Sequence, residues 1–206
     1  NRSIAKKLFK DIDGILLLPG FGSRGVEGKV HCSRFARENN VPFLGICLGL
    51  QCAIIDFARN VCGLSNANST EFNKNTNHPV ISLMESQRAI KIKGGTMRLG
   101  AYTCAIKRGT RLYSAYKETK ITERHRHRYE FNDYYKEELN SNGFITSGIC
   151  PDNNLVEISE IMDHPFMIGS QFHPEFGSRL DRPHPMFDHF IKASANQKKM
   201  GAQFKL

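Results

Sequence analysis

A chain of 206 residues with 40% apolar and 24% charged residues is long enough to bury the core of one α/β domain, which argues against a disordered or fibrous protein. The net charge of +9 raises the possibility of a nucleic-acid partner, but the basic residues are spread along the chain, which favours a solvated basic surface. No apolar run approaches the ~20 residues that a membrane span needs, and residues 1–10 lack the apolar core of a signal peptide, so we expect no membrane association.

The first third of the chain alternates strands and helices. We predict, in order, the end of an amphipathic helix over residues 1–13, a buried strand over 14–18, a glycine-rich loop over 19–25, a helix over 27–39, a second strand over 41–46 and a helix over 50–61. This order predicts an α/β fold with a mostly parallel open sheet and helices on both faces.

The remainder of the chain is more varied. We predict a polar loop over residues 64–78, strands over 79–84, 102–106 and 144–147, a short helix over 131–139, a hairpin formed by 155–161 and 165–172, and a final helix over 185–196. The tail beyond that helix is basic, and we expect it to fray.

Six cysteines, at positions 32, 47, 52, 62, 104 and 150, form no C-x-x-C pair and lack the paired spacing of a zinc site. In a chain of this length without a secretory signal they are best explained as free thiols in a reducing compartment, which predicts a cytoplasmic protein without a metal site. We expect five of them to be structural and one to be reactive.

The turn after the second strand reads Gly45-Ile46-Cys47-Leu48-Gly49. Its glycines suit a turn in which main chain passes close to main chain, as in the nucleophile elbow G-x-S-x-G, here with cysteine in place of serine. Such a turn exposes the sulfur, and the start of the following helix favours the thiolate. The alternative is a buried cysteine at a strand-to-helix corner, and the motif by itself gives both equal weight.

A cysteine nucleophile needs a base, and the base needs a group that orients it. His173 and Glu175 follow an apolar strand, and residues two apart in an extended segment point to the same side. Sites in parallel sheets form at the carboxyl ends of strands, where Cys47 also lies. We therefore expect these side chains to share one crevice, whereas a histidine and a glutamate in this spacing without Cys47 would be an ordinary surface pair.

Attack on an acyl carbon creates an oxyanion, which needs two hydrogen-bond donors. The candidates are the N–H of Leu48, directly after the cysteine, and the N–H of Gly20 in the glycine-rich loop. The alternative for this loop is a phosphate-binding turn or a plain loop, although it matches neither the dinucleotide nor the Walker A pattern.

The run from Glu123 to Glu130 alternates arginine and histidine, with arginine at 124, 126 and 128. Such a run could bind RNA or phosphate. The alternation with a period of two favours a strand whose arginines share one side, with one of them turned into the cleft.

The segments Pro19-Gly20-Phe21-Gly22, Gly45-Ile46-Cys47-Leu48-Gly49-Leu50-Gln51 and Gln171-Phe172-His173-Pro174-Glu175, in this order, resemble the class I (triad) glutamine amidotransferases. Segments 22–28, 67–72, 95–100 and 123–130 are similar to the glutaminase domains of the CTP synthase family, and the resemblance covers residues 13–194. It implies a class I glutamine amidotransferase fold with an antiparallel hairpin before the catalytic histidine. It also implies a single domain over residues 1–206, the C-terminal part of a longer two-domain enzyme.

The resemblance implies that Cys47 attacks the side-chain amide of glutamine, that His173 moves the protons and that Glu175 orients His173. The backbones of two residues, Gly20 and Leu48, would hold the oxyanion. The implied glutamine-binding residues are Gly20, Leu48, Gly49, Leu50, Gln51, Glu71 and Arg128. Among these, Glu71 would take the α-ammonium group and Arg128 the α-carboxylate, each as the opposite charge.

For a full-length enzyme the resemblance implies ammonia supply for the ATP-dependent amination of UTP to CTP by a synthetase domain. It also implies Mg²⁺, GTP as activator and a homotetramer, and no cofactor in this domain. No P-loop occurs in these residues, so we expect the synthetase domain to lie outside them. At Leu18-Pro19-Gly20 the chain departs from the Pro-Gly-Gly of the family and loses the freedom of one glycine. The alternative is another triad hydrolase that acts on a γ-glutamyl bond or an ester.

Overall fold

The structure, a computed structural model, describes residues 8–83 and 97–203. Its strands are β1 (Ile15–Leu17), β2 (Phe43–Ile46), β3 (Asn68–Ser69), β4 (Pro79–Ser82), β5 (Arg98–Ile106), β6 (Lys120–His127), β7 (Glu130–Phe131), β8 (Phe144–Ile149), β9 (Val156–Ile161) and β10 (Met167–Ser170). Its helices are α1 (Val26–Glu38), α2 (Leu48–Asn60), α3 (Arg111–Tyr116), α4 (Lys136–Ser141) and α5 (Pro185–Gln203), with 3₁₀ turns at Asp133–Tyr135 and Pro174–Phe176. None of the described helices is both long and apolar enough to cross a bilayer.

The first two strands and helices form where the sequence predicts them. β1 and β2 pair in parallel, with Leu17 opposite Gly45. α1 begins after Gly25, whose φ of 76° suits glycine, and the chain leaves the helix through Asn40, whose φ is 54°. α2 is buried continuously from its first residue to Ala58, because elements pack around it on all sides.

In the described part of the chain, seven strands form one sheet in the order β1-β2-β10-β9-β8-β5-β6. β2 pairs in parallel with β1 and β10, and the other four pairs are antiparallel. The predicted mostly parallel sheet is therefore wrong, although the α/β class and the hairpin of β9 and β10 are confirmed. The reason is that only a few residues join β8 to β9 and β9 to β10, and a chain that reverses so quickly pairs antiparallel.

Helices cover both faces of this sheet. Alternate residues of β2 enter different core clusters, with Phe43 on the side of α1 and α2 and with Leu44 and Ile46 on the opposite side. Leu112 of α3 and Met186 of α5 belong to the second cluster. The prediction of helices on both faces is thus confirmed.

The sheet curls strongly. After β10, the N–H of Gln171 donates to a carbonyl of β9 at 2.7 Å, and the N–H of His173 then donates to the carbonyl of Arg124 in β6 at 2.8 Å. β10 is third and β6 seventh in the sheet order, so the far edge strand has come round to the carboxyl end of β10. Gly100, with φ of 96°, lies in the long strand β5 and permits the bend there.

Several boundaries differ from the predicted ones. β5 begins at Arg98 rather than at residue 102, because an arginine and a glycine obscure the strand pattern. The last helix continues to Gln203, beyond the expected end at 196. A small sheet of β3, β4 and β7 reaches into the predicted polar loop. Parts of the predicted helix 1–13, of the strand 79–84 and of the segment 95–100 lie outside the described residues.

Candidate active site

Cys47 occupies the sharp turn between β2 and α2. Its φ of 52° and ψ of −103° are unusual for a residue with a side chain, and its N–H donates to the carbonyl of Ser170 in β10 at 2.7 Å. The side chain is buried in the structure. The sequence prediction of a tight strand-to-helix turn at this cysteine is confirmed, whereas the expectation that the turn exposes the sulfur is wrong.

The glycines on both sides of Cys47 allow this turn. A Cβ on Gly45 would lie 2.7 Å from the main chain of Gly49, and a Cβ on Gly49 would overlap the carbonyl oxygen of Leu17 in β1. The start of α2 is therefore pressed directly against β1 and β2, which only glycine at these two positions permits.

Burial raises the pKa of the Cys47 thiol to about 12. The N–H of Leu48 lowers it, whereas the charges of Glu130, Glu175 and Glu71 raise it further. The start of the helix thus lowers the pKa of Cys47 as predicted, but by less than burial raises it. At neutral pH the sulfur carries its proton, and a nearby base must remove it before the sulfur can attack.

His173 and Glu175 form a close pair: His173 Nδ1 lies 2.6 Å from Glu175 Oε1. The imidazole stacks on Phe176, with centroids 4.9 Å apart and planes 8° from parallel. Burial would raise the pKa of Glu175, but the hydrogen bond and charge of His173 outweigh it and hold this pKa below its ordinary value. The backbone between the two residues is a 3₁₀ turn, not the extended segment that the sequence suggested.

The other ring nitrogen, His173 Nε2, is buried and has no hydrogen-bond partner among the described residues. Buried polar atoms without a partner are rare and are often found where a ligand or reacting group will sit. A histidine held by a carboxylate through Nδ1 with Nε2 left over has the arrangement of a general base.

The register of β2 and β10 places Cys47 and His173 at the same edge of the sheet. Ile46 pairs with Ser170, the last residue of β10, so each residue of interest follows the carboxyl end of one of two neighbouring strands. The charge of Glu175 also acts on Cys47. The structure therefore places Cys47 and the His173–Glu175 pair at the same edge of the sheet.

Gly20 lies against the start of α2. A Cβ on Gly20 would come within 3.2 Å of the Leu48 side chain, and the loop is fixed on one side by Lys29, which donates to the carbonyl of Leu18 at 2.9 Å. On the other side, the N–H of Gly22 donates to Glu71 Oε1 at 2.8 Å. These contacts hold the loop against the start of α2.

The two residues predicted to bind the α-groups of glutamine, Glu71 and Arg128, both act electrostatically on Tyr129. Burial raises the pKa of Tyr129, the charge of Glu71 adds to this effect, and the charge of Arg128 opposes it. Gln51 of α2 donates to the carbonyl of Tyr129 at 3.1 Å and to the side chain of Gln171 at 3.2 Å.

The basic run forms β6, as its alternation predicts. Arg124 and Arg126 are exposed on one face, while His125 and His127 are buried on the other. Arg128 follows the end of the strand, and Arg126 lies over the ring of Phe21 in the glycine-rich loop. The prediction of a strand with arginines on a shared side is confirmed.

Two polar clusters near the site were not found from the sequence. In the first, His184 Nε2 and the hydroxyl of Tyr116 both approach Glu123 Oε1, at 2.9 and 2.8 Å. The second contains five residues: Arg98, His125, His127, Glu130 and Glu157. A glutamate inside the apolar run of β9 was the one available signal for the second cluster. In residues 8–83 and 97–203, no group of three or more His, Cys, Asp or Glu side chains is placed to hold a metal ion.

Comparison with known proteins gives consistent matches. Residues 1–193 match the family described as glutamine amidotransferase class-I. The chain is 56% identical over 198 residues to a CTP synthase of Caldanaerobacter subterraneus subsp. tengcongensis, an alignment that covers 96% of this chain and 37% of the relative. It is 59% identical over 182 residues to a CTP synthase of Cytophaga hutchinsonii, with 88% of this chain and 34% of the relative covered. The chain thus spans about a third of the length of these curated relatives.

A solved structure described as the glutaminase domain of Trypanosoma brucei CTPS with bound acivicin has the same fold. It superposes with a TM-score of 0.88 at 39% sequence identity, over 95% of this chain and 76% of that one. Together these matches confirm the resemblance that the sequence motifs indicated.

Proposed function

Because the chain belongs to the class-I glutamine amidotransferase family, we propose that it hydrolyses the side-chain amide of L-glutamine through a thioester on Cys47. The observation that carries the proposal is the buried histidine beside the strained cysteine turn. His173 is held through Nδ1 by Glu175 at 2.6 Å, and its Nε2 has no partner among the described residues. His173 is therefore available as a base for the Cys47 thiol, which burial keeps protonated.

The reaction starts when His173 Nε2 takes the proton of Cys47 and the sulfur attacks the amide carbon of glutamine. The oxyanion that forms accepts hydrogen bonds from the N–H groups of Leu48 and Gly20. His173 returns the proton to the leaving nitrogen, the C–N bond breaks and ammonia departs. Water then attacks the thioester with His173 as base, and glutamate and the free thiol are formed. Glu175 keeps the imidazole oriented and stabilises its charged form.

Substrate recognition uses the charges around Tyr129. Glu71 receives the α-ammonium group of glutamine, and Arg128 receives the α-carboxylate, for which a guanidinium can form two parallel bonds. The first turn of α2 lines the remainder of the site, with Leu48, Gly49, Leu50 and Gln51. Opposite charges at fixed positions select an α-amino acid over a simple amide.

In the longer protein, the ammonia serves the ATP-dependent amination of UTP to CTP by a synthetase domain, with Mg²⁺ and with GTP as activator. This proposal rests on the curated relatives, which are named CTP synthase and are about three times the length matched here. It includes a cytoplasmic location and a homotetramer of the full-length enzyme.

The test is release of glutamate and ammonia from L-glutamine by the purified chain, followed by labelling with a chloroketone analogue of glutamine. Cys47→Ala should abolish both release and labelling, while the matched change Cys32→Ala, at a half-buried thiol of α1, should leave both unchanged. Mass spectrometry should place the label on Cys47. Labelling of Cys32 or Cys52 instead, or hydrolysis that survives Cys47→Ala, would contradict the proposal.

A further inference from the structure

Five ionisable side chains among the described residues are buried together next to the site, and the mechanism above uses none of them. They come from four strands and are at most 5% exposed: Arg98 of β5, His125 and His127 of β6, Glu130 of β7 and Glu157 of β9. Burying ionisable groups costs several kcal/mol each, and apolar side chains of similar volume are often as stable. A cluster retained at that cost points to a role beyond stability.

Polar contacts join four of these side chains in a line. Arg98 Nη2 donates to Glu157 Oε1 at 2.7 Å. Glu157 Oε2 lies 3.4 Å from His125 Nε2, and neither of these two atoms has a hydrogen-bond partner among the described residues. His125 Nδ1 lies 2.9 Å from His127 Nε2. Glu130 stands beside the line, with Oε1 3.4 Å from Arg98 Nη1 and 3.5 Å from His127 Nδ1.

The line ends at the main chain of the site. His127 Nδ1 lies 3.2 Å from the carbonyl oxygen of Tyr129, and the side chain of Gln51 donates to the same oxygen at 3.1 Å. Tyr129 directly follows Arg128, and Gln51 lies in the first turns of the helix that begins after Cys47. The line therefore fixes one carbonyl between the nucleophile turn and a predicted substrate-binding residue.

The same side chains support the segment that leads to His173. The carbonyl of Glu157 accepts the N–H of Gln171 at 2.7 Å, and the ring of His125 packs edge-on against Phe172, with centroids 5.9 Å apart.

The directions of the hydrogen bonds locate the protons. A carbonyl oxygen only accepts, so the contact with Tyr129 requires a proton on His127 Nδ1. Burial and the neighbouring charges lower the pKa of His125 and His127, so each ring is neutral and carries one proton. His127 Nε2 then accepts from His125 Nδ1, and His125 Nε2 faces Glu157 as an acceptor. A carboxyl proton on Glu157 is what completes that contact.

We propose that Glu157 is protonated in the folded protein and that its carboxyl proton faces His125 Nε2, where a one-way line of hydrogen bonds begins that runs through His127 to the carbonyl of Tyr129. Glu157, His125 and His127 are then positioning residues, which set the Tyr129 carbonyl and thereby the adjacent Arg128. The inference rests on the proposed function, because that function assigns Arg128 to the α-carboxylate of glutamine. Donors that all point the same way also strengthen one another.

The surroundings of Glu157 are consistent with a neutral carboxyl group. Burial raises the pKa of Glu157 and raises that of Glu130 to about 8, so the cluster holds a proton at neutral pH. The groups that act on Glu157 are the guanidinium of Arg98, the carboxyl of Glu130, the ring of His125 and the thiol of Cys104, whose pKa burial raises. Arg98 lowers the pKa of both carboxyls, so the ground for placing the proton on Glu157 and leaving Glu130 ionised is the unpartnered His125 Nε2 that faces Glu157.

The two glutamates offer a matched pair of isosteric variants. Glu157→Gln keeps an acceptor for Arg98 and a donor for His125, so the KM for glutamine should stay within about twofold of wild type and the thermal midpoint should not fall. Glu130→Gln removes the negative charge that faces Arg98, so the thermal midpoint should drop clearly. If Glu157→Gln lowered the thermal midpoint more than Glu130→Gln, the proton would lie on Glu130 and the proposal would be overturned.

Positioning is separated from a merely structural role by Glu157→Leu. We expect KM for glutamine to rise about tenfold with a smaller loss of kcat, because substrate recognition is disturbed and the triad is not. Alkylation of Cys47 by iodoacetamide, which needs no substrate recognition, should keep its wild-type rate. An equal loss of glutamine hydrolysis and of the rate of Cys47 alkylation would contradict a positioning role.

The proton arrangement can be measured without catalysis. Imidazole ¹⁵N chemical shifts of the wild-type chain, assigned with His125→Asn and His127→Asn, should show both rings protonated on Nδ1. A ring protonated on Nε2 would overturn the proposal. A wild-type chain that fails to hydrolyse glutamine would instead contradict the proposed function, and the ¹⁵N shifts would still decide the inference.

Discussion

At the scale of the residue, Cys47 is held in a conformation that it would not adopt alone. A side chain at φ 52° and ψ −103° costs on the order of 1–3 kcal/mol, and the surrounding structure must impose it. The hydrogen bond to Ser170 and the contact of the helix start with β1 hold Cys47 in this conformation. Gly45 and Gly49, two residues away on either side, allow the turn that places the cysteine at the edge of the sheet.

We expect Gly49→Ala to destabilise the protein by about 1–3 kcal/mol or more, because the new Cβ would overlap the carbonyl oxygen of Leu17. Gly28→Ala is the matched control. Gly28 lies in the first turn of α1 with nothing within 4 Å of a new Cβ, so alanine there should stabilise by about 0.5–1 kcal/mol. Urea unfolding of both variants gives the comparison, and equal effects would show that the close approach at Gly49 is not restrictive.

At the scale of the element, the predictable parts are those with a local signal. The run β1-α1-β2-α2 was readable because apolar strands and glycine or asparagine boundaries punctuate it. The pairing of β5 with β6 and with β8 was not readable, because these antiparallel partners are chosen by contacts between residues that are distant in the chain. The role of His125 was also hidden: arginine-histidine alternation indicates a strand, but not that the histidines face a buried glutamate.

His164 shows how one side chain joins two elements. It lies in the connection between β9 and β10, its Nε2 lies 3.0 Å from the carbonyl of Ala36 in α1, and its Nδ1 accepts the N–H of Phe166 at 3.2 Å. Burial lowers the pKa of His164, and the charges of Arg111 and Arg37 act in the same direction. The folded protein therefore needs the neutral ring to keep the hairpin on α1.

Replacement His164→Ala should lower the free energy of unfolding by about 1–3 kcal/mol at pH 8, where two buried hydrogen bonds are lost. The pKa is lower in the folded than in the unfolded chain, so the contribution of His164 is present above about pH 6.5 and is lost as the pH falls below it. At pH 5.5 the difference between wild type and variant should therefore be smaller than at pH 8. A difference that stays constant or grows with acidity would contradict the neutral buried ring.

At the scale of the whole molecule, the cysteines behave as the sequence predicted. All six lie in described residues and are free, with Cys32 and Cys62 half-buried and the other four buried. They are distributed over both faces of the sheet, so no pair staples the fold. The stability of this protein comes from its two packed clusters and not from covalent links.

A thiol reagent should therefore titrate six cysteines in the chain unfolded without reductant. In the native protein at pH 8, Cys32 and Cys62 should react first, and the double variant Cys32→Ser/Cys62→Ser should remove this fast phase. Fewer than six thiols in the unfolded, unreduced chain would reveal a disulfide and contradict the free-thiol arrangement.

The curl of the sheet also has a mechanical consequence. Cys47 is bonded to Ser170 in the parallel half, whereas the main chain of His173 is bonded to Arg124 in the far edge strand β6. The main chains of the nucleophile and of the base are thus hydrogen-bonded to different parts of one curved sheet. A movement of β6 relative to β2 should therefore change the distance between the Cys47 sulfur and the His173 imidazole without a change in loop conformation. The curvature of the sheet is therefore one determinant of how closely the two groups approach.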